Sequence, residues 1–246
     1  MNLMKKIATL LCVAVLGVGT AIAATIPITW LDMSPTAFNT PVPNNSVFTV
    51  AGVGNVTVTY SIPAHWTQSR AQSAPYTSGS VTYGPDTFIW SNYEYFGTIF
   101  TPGLLGPEVG TITYTFPSTL PAGSVFVGPL GLGATLSYGG GASTTTVAQN
   151  GTFLGDFIGD PTAGASQFTG GPGTFAVQNS VTNYGGQNPW WNTQLAVVRV
   201  DDAVSSITIT QSQLRGDGIG VNIGFAIDAV VSTEASTWGN VKSLFR

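Results

Sequence analysis

The chain has 246 residues, of which only 7% are charged and 43% are hydrophobic, and its formal net charge is −4. A charge-poor, acidic chain of this kind argues against nucleic acid and anionic membrane surfaces as partners. Its one cysteine, Cys12, excludes a disulfide framework, so burial of a hydrophobic core has to provide the stability.

Residues 1–23 predict a secretory signal peptide. Two lysines precede an uncharged apolar run from Ile7 to Gly19, and an Ala-Ile-Ala triplet precedes the expected cleavage before Ala24. The apolar run is too short for a transmembrane span. Its removal leaves five basic and eleven acidic residues, a net charge of −6, and no cysteine. We therefore expect a secreted protein that is extracellular or lies at the cell surface.

Residues 24–233 predict an all-β domain of many short strands. Asn55 to Ile62 and Gly110 to Phe116 alternate apolar and polar residues, which is the period of a half-buried strand. Such strands, separated by turn signals, are typical of a sandwich, and long mid-chain connections favour a jelly roll over a meander. The predicted strands are 47–53, 55–62, 78–83, 87–90, 110–116, 124–127, 132–138, 143–147, 151–157, 174–178, 195–200, 205–211 and 219–231.

Two tight turns are predicted between neighbouring strands. Gly84-Pro85-Asp86 separates the strands 78–83 and 87–90. Asn150-Gly151, a dipeptide typical of two-residue turns, predicts a hairpin between 143–147 and 151–157. Five segments without a strand pattern are predicted to be loops or irregular; they are 25–45, 64–77, 101–108, 159–173 and 179–192.

Gly218 to Val231 is the most informative stretch of the domain. Every second residue from Ile219 onward is apolar, and the side chains at these positions share one face of a strand. The opposite face consists mainly of Gly, Ala and Asn and is nearly free of side-chain volume. A strand with one bulky and one bare face predicts a central core strand that another segment approaches closely from behind.

The polar surface is built from Thr, Ser, Asn and Gln, and the only lysine after residue 23 is Lys242. Edge strands of β-sheets are usually protected by charge, especially by lysine. The edges of this domain must therefore be covered, closed or used for association.

Residues 234–246 predict a short amphipathic helix at the end of the chain. Trp238, Val241 and Phe245 fall on one side of it, and Ser236 or Thr237 can cap its start. A helix of about ten residues is not stable alone in water. The tail is therefore expected to dock, insert or be disordered.

Three motifs resemble a class of secreted bacterial β-sandwich proteins that often carry C-terminal sorting signals of the PEP-CTERM type. They are GTITYTF at 110–116, LPAGSVFV at 120–127 and GIGVNIGFAIDAVV at 218–231. The resemblance implies a jelly-roll sandwich that is galactose-binding-like and similar to carbohydrate-binding modules. The PEP-CTERM tail itself is absent. The ending Thr237 to Arg246 resembles instead short Trp-Gly-x-Val-Lys-x-Leu-Phe-Arg tails, for which a sorting or anchoring role and a docking helix both remain open.

Catalytic motifs are scarce, and the sequence predicts no enzyme. His65 is the only histidine, no Gly-x-Ser-x-Gly motif is present, and zinc chemistry would need more His or Cys ligands. Glu94 lies among aromatic residues, but it belongs to no paired-carboxylate motif of the kind that glycosidases use.

A carbohydrate site is predicted in the loop that contains Trp190 and Trp191. Their rings can stack on sugar, while the amides of Asn188 and Asn192 can bind hydroxyl groups, although buried tryptophans in a core are an equally good interpretation. The resemblance further implies a structural calcium ion at Asp228, the aspartate of the closing strand; the alternative is that this carboxylate accepts backbone hydrogen bonds. Further calcium ligands on composition alone are Asp156, Asp160, Asp201, Asp202 and Asp217.

Two functions follow from these features. The first is a non-catalytic structural protein, secreted or at the cell surface, that associates with itself or with other surface components through its sheet edges. The alternative is a carbohydrate-binding module that uses the loop tryptophans to bind polysaccharide, with calcium as a structural ion.

Overall fold

The structure is a computed structural model that describes residues 23–33, 42–61, 66–71, 76–99, 105–133, 141–158, 163–180, 193–215 and 218–226. Within these ranges the chain forms seventeen β-strands. In chain order they are β1 (Thr25–Pro27), β2 (Thr29–Trp30), β3 (Ser46–Val50), β4 (Gly54–Ser61), β5 (Trp66–Ala71), β6 (Gly79–Tyr83), β7 (Asp86–Trp90), β8 (Glu94–Ile99), β9 (Leu105–Leu120), β10 (Val125–Leu130), β11 (Ser143–Val147), β12 (Gly151–Phe157), β13 (Ser166–Gly171), β14 (Thr174–Asn179), β15 (Leu195–Val200), β16 (Val204–Arg215) and β17 (Gly218–Phe225).

The described strands form three sheets. The outer sheet has the order β13-β14-β11-β16-β9-β4-β3, and the central sheet has the order β12-β15-β10-β17-β8-β5 with β2 added on β17. The small sheet has the order β1-β7-β6. All neighbouring strands are antiparallel except β1 and β7, which are parallel. The predicted all-β class is therefore confirmed, as an assembly of antiparallel sheets.

Two hydrophobic cores separate the sheets into three layers. The larger core lies between the outer and central sheets and includes Ile112 and Tyr114 of β9 together with Val198 of β15. The second core lies between the central and small sheets and includes Phe126 of β10 and Phe88 of β7. The central sheet is consequently buried on both of its faces, which is why β10 and β15 consist almost wholly of buried residues.

The strand β17 is the closing core strand that the alternation predicts. It lies between β10 and β8 in the central sheet, and its apolar side chains enter the larger core with at most 1% exposure; they are Ile219, Val221, Ile223 and Phe225. The predicted continuation of the strand from residue 227 to 231 lies outside the described residues. The central prediction about this stretch is confirmed for Gly218–Phe225.

The bare face of β17 is covered closely, as the sequence also predicts. A Cβ atom at Gly220 would lie 2.7 Å from the ring of Tyr95, and one at Gly224 would lie 2.5 Å from Cγ2 of Ile28 and 2.9 Å from Trp30. Trp30 itself is fully buried and packs edge-on against Trp90 and Tyr93. The missing side chains of β17 thus make room for the aromatic residues of the second core.

Five predictions about local structure are wrong. Residues 143–147 and 151–157 form no hairpin with each other: β11 pairs with β14 and β16 in the outer sheet, whereas β12 pairs with β15 in the central sheet. The Asn150-Gly151 dipeptide therefore marks a crossing between sheets. The strands β5 and β13 occupy segments predicted as loops, because their polar and glycine-rich sequences hide the period of two. Likewise, β1 and β2 occupy the proline-rich segment that was predicted to be irregular, and β9 begins at Leu105 within the predicted loop 101–108.

Candidate functional site

A cleft of about 440 Å³ opens between the small sheet and the central sheet, and we call it the interlayer cleft. Its volume lies within the range of roughly 300–1,000 Å³ that is usual for small-ligand sites. Ile26 and Ala122 form its accessible apolar floor, and Phe88, Phe126 and Ala226 lie almost fully buried beneath it. Arg199 and Asp201 form the polar part of its rim. An apolar floor with a few convergent polar groups is the usual composition of a binding site.

The position of Arg199 follows from the alternation along β15. Leu195 and Val197 point into the second core, and Arg199 follows them on the same face at the end of the strand, where the core opens to solvent. In the register of the central sheet, Arg199 lies opposite Thr152 of β12 on one side and Phe126 of β10 on the other. One row across three strands thus contains a hydroxyl group, a guanidinium group and an aromatic ring.

Arg199, Asp201 and Thr152 form a compact hydrogen-bonded cluster at this rim. Nε of Arg199 donates to Oδ1 of Asp201 at 2.8 Å, and the hydroxyl group of Thr152 donates to Oδ2 of Asp201 at 2.6 Å. Nη2 of Arg199 lies 3.4 Å from Oγ1 of Thr152. The two charged side chains are each about one third exposed, at 33% and 30%. Among the described residues no further group binds the remaining guanidinium N–H groups, which are available to a ligand.

The loop beside this cluster is held by Asn150. Its side chain and backbone donate to the two carboxylate oxygens of Asp202 at 2.8 and 2.6 Å, and its Oδ1 accepts the Gly173 N–H group at 2.8 Å. The hydrogen bond from the Asn150 side chain, and to a smaller extent the one from its backbone, lower the pKa of the Asp202 carboxyl group. The turn that contains Asp201 is therefore fixed before any ligand arrives.

The site residues predicted from the sequence cannot be placed against this cleft. Asn188, Trp190, Trp191, Asn192, Asp228 and His65 all lie outside the described residues, as does the tail at 234–246. Of the calcium ligands proposed on composition, Asp156, Asp201 and Asp202 are described, and each accepts hydrogen bonds from protein groups. No group of three His, Cys, Asp or Glu side chains within the described ranges is arranged to hold a metal ion.

Glu94 lies in the interior rather than at the cleft. It is 9% exposed, and its Oε2 accepts the backbone N–H group of Met33. Burial raises the pKa of this carboxyl group, and nearby Asp32 adds to the effect, while the Met33 hydrogen bond opposes it. Its aromatic surroundings are therefore a packing environment that holds residues 31–33 against β8.

The described residues on the outward face of the outer sheet include no aromatic platform for a sugar. In register across β4, β9 and β16 it presents rows of hydroxyl side chains, such as Thr59, Thr113 and Thr208. The hydroxyl groups of Thr113 and Thr208 bond to each other at 2.9 Å. Among the described residues, an apolar floor next to a charged rim occurs at the interlayer cleft.

Sequence reasoning missed the cluster of Arg199 and Asp201 as a site. A usable signal was present, because Arg199 is one of only five basic residues after residue 23 and interrupts the otherwise apolar strand LAVVRV. The strand ends one residue after Arg199, and Asp201 and Asp202 follow it directly. Charged residues at the end of an apolar strand indicate a polar group at the margin of a core.

Comparisons with known proteins place the chain in no family. No protein-family model matches it, and no curated protein matches it. Among solved structures it is weakly similar to the carbohydrate-binding module TmCBM61, determined in complex with β-1,4-galactotriose, with 13% sequence identity and a TM-score of 0.25 over 66% of this chain and 87% of that one. The resemblance to PEP-CTERM-associated sandwich proteins thus rests on its sequence motifs. Within the part of the chain that the structure describes, no helix is long and apolar enough to cross a membrane.

Proposed function

We propose that the protein is a secreted, non-catalytic carbohydrate-binding protein with a jelly-roll-like sandwich, and that its ligand is a neutral sugar bound in the interlayer cleft. The observation that carries this proposal is the fixed pair of Arg199 and Asp201 at the rim of a cleft whose accessible apolar lining is Ile26 and Ala122. A sugar offers C–H groups to an apolar floor and hydroxyl groups to both a donor and an acceptor. The cleft supplies the donor and the acceptor at its rim, and the accessible side chains of Ile26 and Ala122 supply the apolar contact.

The charge of the cluster favours a neutral ligand over an acidic one. Arg199 and Asp201 already neutralise each other at 2.8 Å, so the rim carries no net charge from this pair. Without its first 23 residues, the protein has a net charge of −6 and would repel acidic polysaccharide at long range. The same proposal includes a second contact region for a longer oligosaccharide. Its residues are those of the predicted loop site, Asn188, Trp190, Trp191 and Asn192.

Replacing Arg199 by methionine is expected to weaken sugar binding at least about tenfold, because a hydrogen bond from a charged group contributes roughly 1.5–3 kcal/mol. Methionine keeps much of the apolar stem of the side chain and removes the donors. Isothermal titration calorimetry would measure binding of the chain from Ala24 onward to a panel of neutral oligosaccharides that includes β-1,4-galactotriose. A Thr115→Val variant, on the outward face of the outer sheet, should bind as tightly as the wild type.

Two results would contradict this assignment of the site. One is the absence of binding to any neutral oligosaccharide by the wild type. The other is unchanged binding by Arg199→Met when a Trp190→Ala/Trp191→Ala variant no longer binds, which would move the site to the tryptophan loop. Near-identical circular dichroism spectra of all variants are needed so that loss of folding is not mistaken for loss of binding.

A second function, assembly through a sheet edge, is supported by the strand β3. This strand ends the outer sheet, pairs with β4 on one side, and carries no charged residue. Its Val47 side chain is 56% exposed. At the opposite end of the sheet, Phe168 of β13 stacks on Phe153 of β12 with ring centroids 5.6 Å apart, which ties that edge to the central sheet. Among the described strands β3 has no second neighbour, and an uncharged edge of this kind is suited to pairing with a strand of another copy.

Replacing Val47 by lysine is expected to abolish this assembly, because a charge on an edge strand opposes pairing with a second strand. Size-exclusion chromatography with light scattering should show a mass that rises with concentration for the wild type and a monomer for Val47→Lys. Val109→Lys is the matched control, since Val109 is 49% exposed but lies on β9 in the interior of the sheet. A wild type that is monomeric at every concentration would exclude the assembly function and leave the carbohydrate proposal unaffected.

A further inference from the structure

We infer that removal of the signal peptide creates a charged latch, in which the new α-amino group of Ala24 pairs with the carboxylate of Asp86 and fixes β1 to the small sheet. The inference depends on cleavage before Ala24, which the leader sequence predicts. It does not depend on what the interlayer cleft binds.

The geometry of the latch is already present in the full chain. The backbone nitrogen of Ala24 donates to Oδ1 of Asp86 at 3.1 Å. The carbonyl oxygen of Ala24 accepts the N–H group of Thr87 at 2.8 Å. Asp86 and Thr87 are the first two residues of β7, and Thr87 lies opposite Thr25 in the parallel pairing of β1 with β7. Ala24 is therefore held through both its N–H and its C=O group by the start of one strand.

Cleavage changes the charge of the donor without a need to move it. In the precursor the nitrogen of Ala24 belongs to a neutral amide, whereas hydrolysis of the bond between Ala23 and Ala24 leaves a free amine on the same atom. An α-amino group has a pKa of about 7.7–8.0 and is mostly protonated at neutral pH. A hydrogen bond with two charged partners is roughly twice as strong as a neutral one. Among the described residues, Asp86 has no cationic side chain as partner, so the new amine would be its counter-ion.

The latch acts on a strand that needs support. β1 has only three residues and pairs with one neighbour, β7. Its Ile26 packs against the second core and lines the interlayer cleft, and the adjacent Ile28 donates its N–H group to Ile89 at 2.7 Å. A firmer N-terminus therefore stabilises one wall of the cleft. Maturation and the ordering of this wall become coupled.

Four proteins test the latch. Two of them begin at Ala24, one with Asp86 and one with the Asp86→Asn substitution. The other two have Gly-Ser added before Ala24, again with either Asp or Asn at position 86. Asparagine can still accept the hydrogen bond but has no charge, and the extended chain can still donate it but has no amine at Ala24. Thermal unfolding from about pH 6 to pH 10, across the ordinary pKa of an α-amino group, measures the interaction as a double-mutant cycle.

In the chain that begins at Ala24, Asp86→Asn is expected to lower Tm by about 1–3 °C near pH 6, as for an exposed ion pair. The carboxylate raises the pKa of the amine in the folded state above its unfolded value. The stabilisation by the amine is therefore complete below the unfolded pKa and is lost as pH rises through the folded pKa, so at about pH 10 the difference should fall to that of the extended chain. In the extended chain the substitution should have a smaller effect that does not change with pH, because the carboxylate accepts only a neutral N–H group. Exchange of the Ile28 amide should be faster there than in the chain that begins at Ala24.

An equal effect of Asp86→Asn in the two backgrounds would overturn the latch, since only the carboxylate and not the new amine would then matter. N-terminal sequencing of protein secreted with its own leader provides an independent check. A first residue other than Ala24 would also overturn the inference.

Discussion

A Gly224→Val variant is expected to lose at least about 3 kcal/mol of unfolding free energy, or to fail to fold, because overpacking costs roughly 1–3 kcal/mol even for modest insertions. The added Cβ atom would lie 2.5 Å from Cγ2 of Ile28 and 2.9 Å from Cε3 of Trp30. Both neighbours are buried, at 2% and 0% exposure, and neither can turn away into solvent. Chemical denaturation of the chain from Ala24 onward would measure the loss.

Gly171→Val is the matched control for this substitution. Gly171 ends β13, and an added Cβ atom there would have no heavy atom within 4 Å. Valine is favoured in strands, so a change within about ±0.5 kcal/mol is expected. If the two valine variants lost the same amount, the effect at Gly224 would arise from the backbone preference of glycine, and the close approach of Ile28 and Trp30 would have no energetic role.

This close approach is also what the sequence predicted best. A strand with bulky residues at alternate positions and glycine between them specifies its own face and the presence of a neighbour behind it. The pattern could be recognised without any knowledge of the partner. The identity of that partner could not be predicted, because Ile28 and Trp30 lie in a proline-rich segment about 190 residues away from Gly224, and short strands there have no detectable period.

Pairing between strands was the weakest part of the prediction. The Asn150-Gly151 dipeptide is chemically suited to a hairpin turn, yet Asn150 binds Asp202 and Gly173 instead. Those partners come from distant parts of the chain, and no local signal shows that they compete with turn formation. The third layer, formed by the small sheet, could not be predicted either. A two-sheet sandwich and a sandwich with an added small sheet show a similar alternation of apolar and polar residues.

The interlayer cleft was not predictable for a related reason. Thr152, Arg199 and Phe126 come together only because β12, β15 and β10 are neighbours in one register. Each residue alone is an ordinary strand residue. Side chains that meet across strands are specified by topology, whereas the tryptophan loop attracted attention because its residues are adjacent in the sequence. Trp90, in contrast, lies in the predicted strand 87–90, and it is 6% exposed in the second core.

Replacing Asn222 by leucine is expected to destabilise the fold by about 3 kcal/mol or more, since each buried polar group left without a partner costs roughly 1–3 kcal/mol. Asn222 is fully buried on the otherwise bare face of β17. Its Nδ2 donates to the carbonyl oxygens of Leu31 and Glu94 at 3.0 and 2.9 Å, and its Oδ1 accepts the N–H group of Ile223 at 2.8 Å. Leucine has a similar volume, so the loss measures these hydrogen bonds rather than a cavity.

Asn150→Leu removes a comparable set of hydrogen bonds in a place that water can reach. The side chain of Asn150 bonds to Asp202 and Gly173, and these contacts are exposed, so water replaces them at a cost within about 1 kcal/mol. Hydrogen exchange localises the difference: the Leu31 amide, which donates to Ile223 at 2.9 Å, should exchange faster in Asn222→Leu and normally in Asn150→Leu. Equal losses of stability in the two variants would mean that burial adds nothing to the Asn222 bonds, and that the segment at residues 28–33 is held to β17 by packing alone.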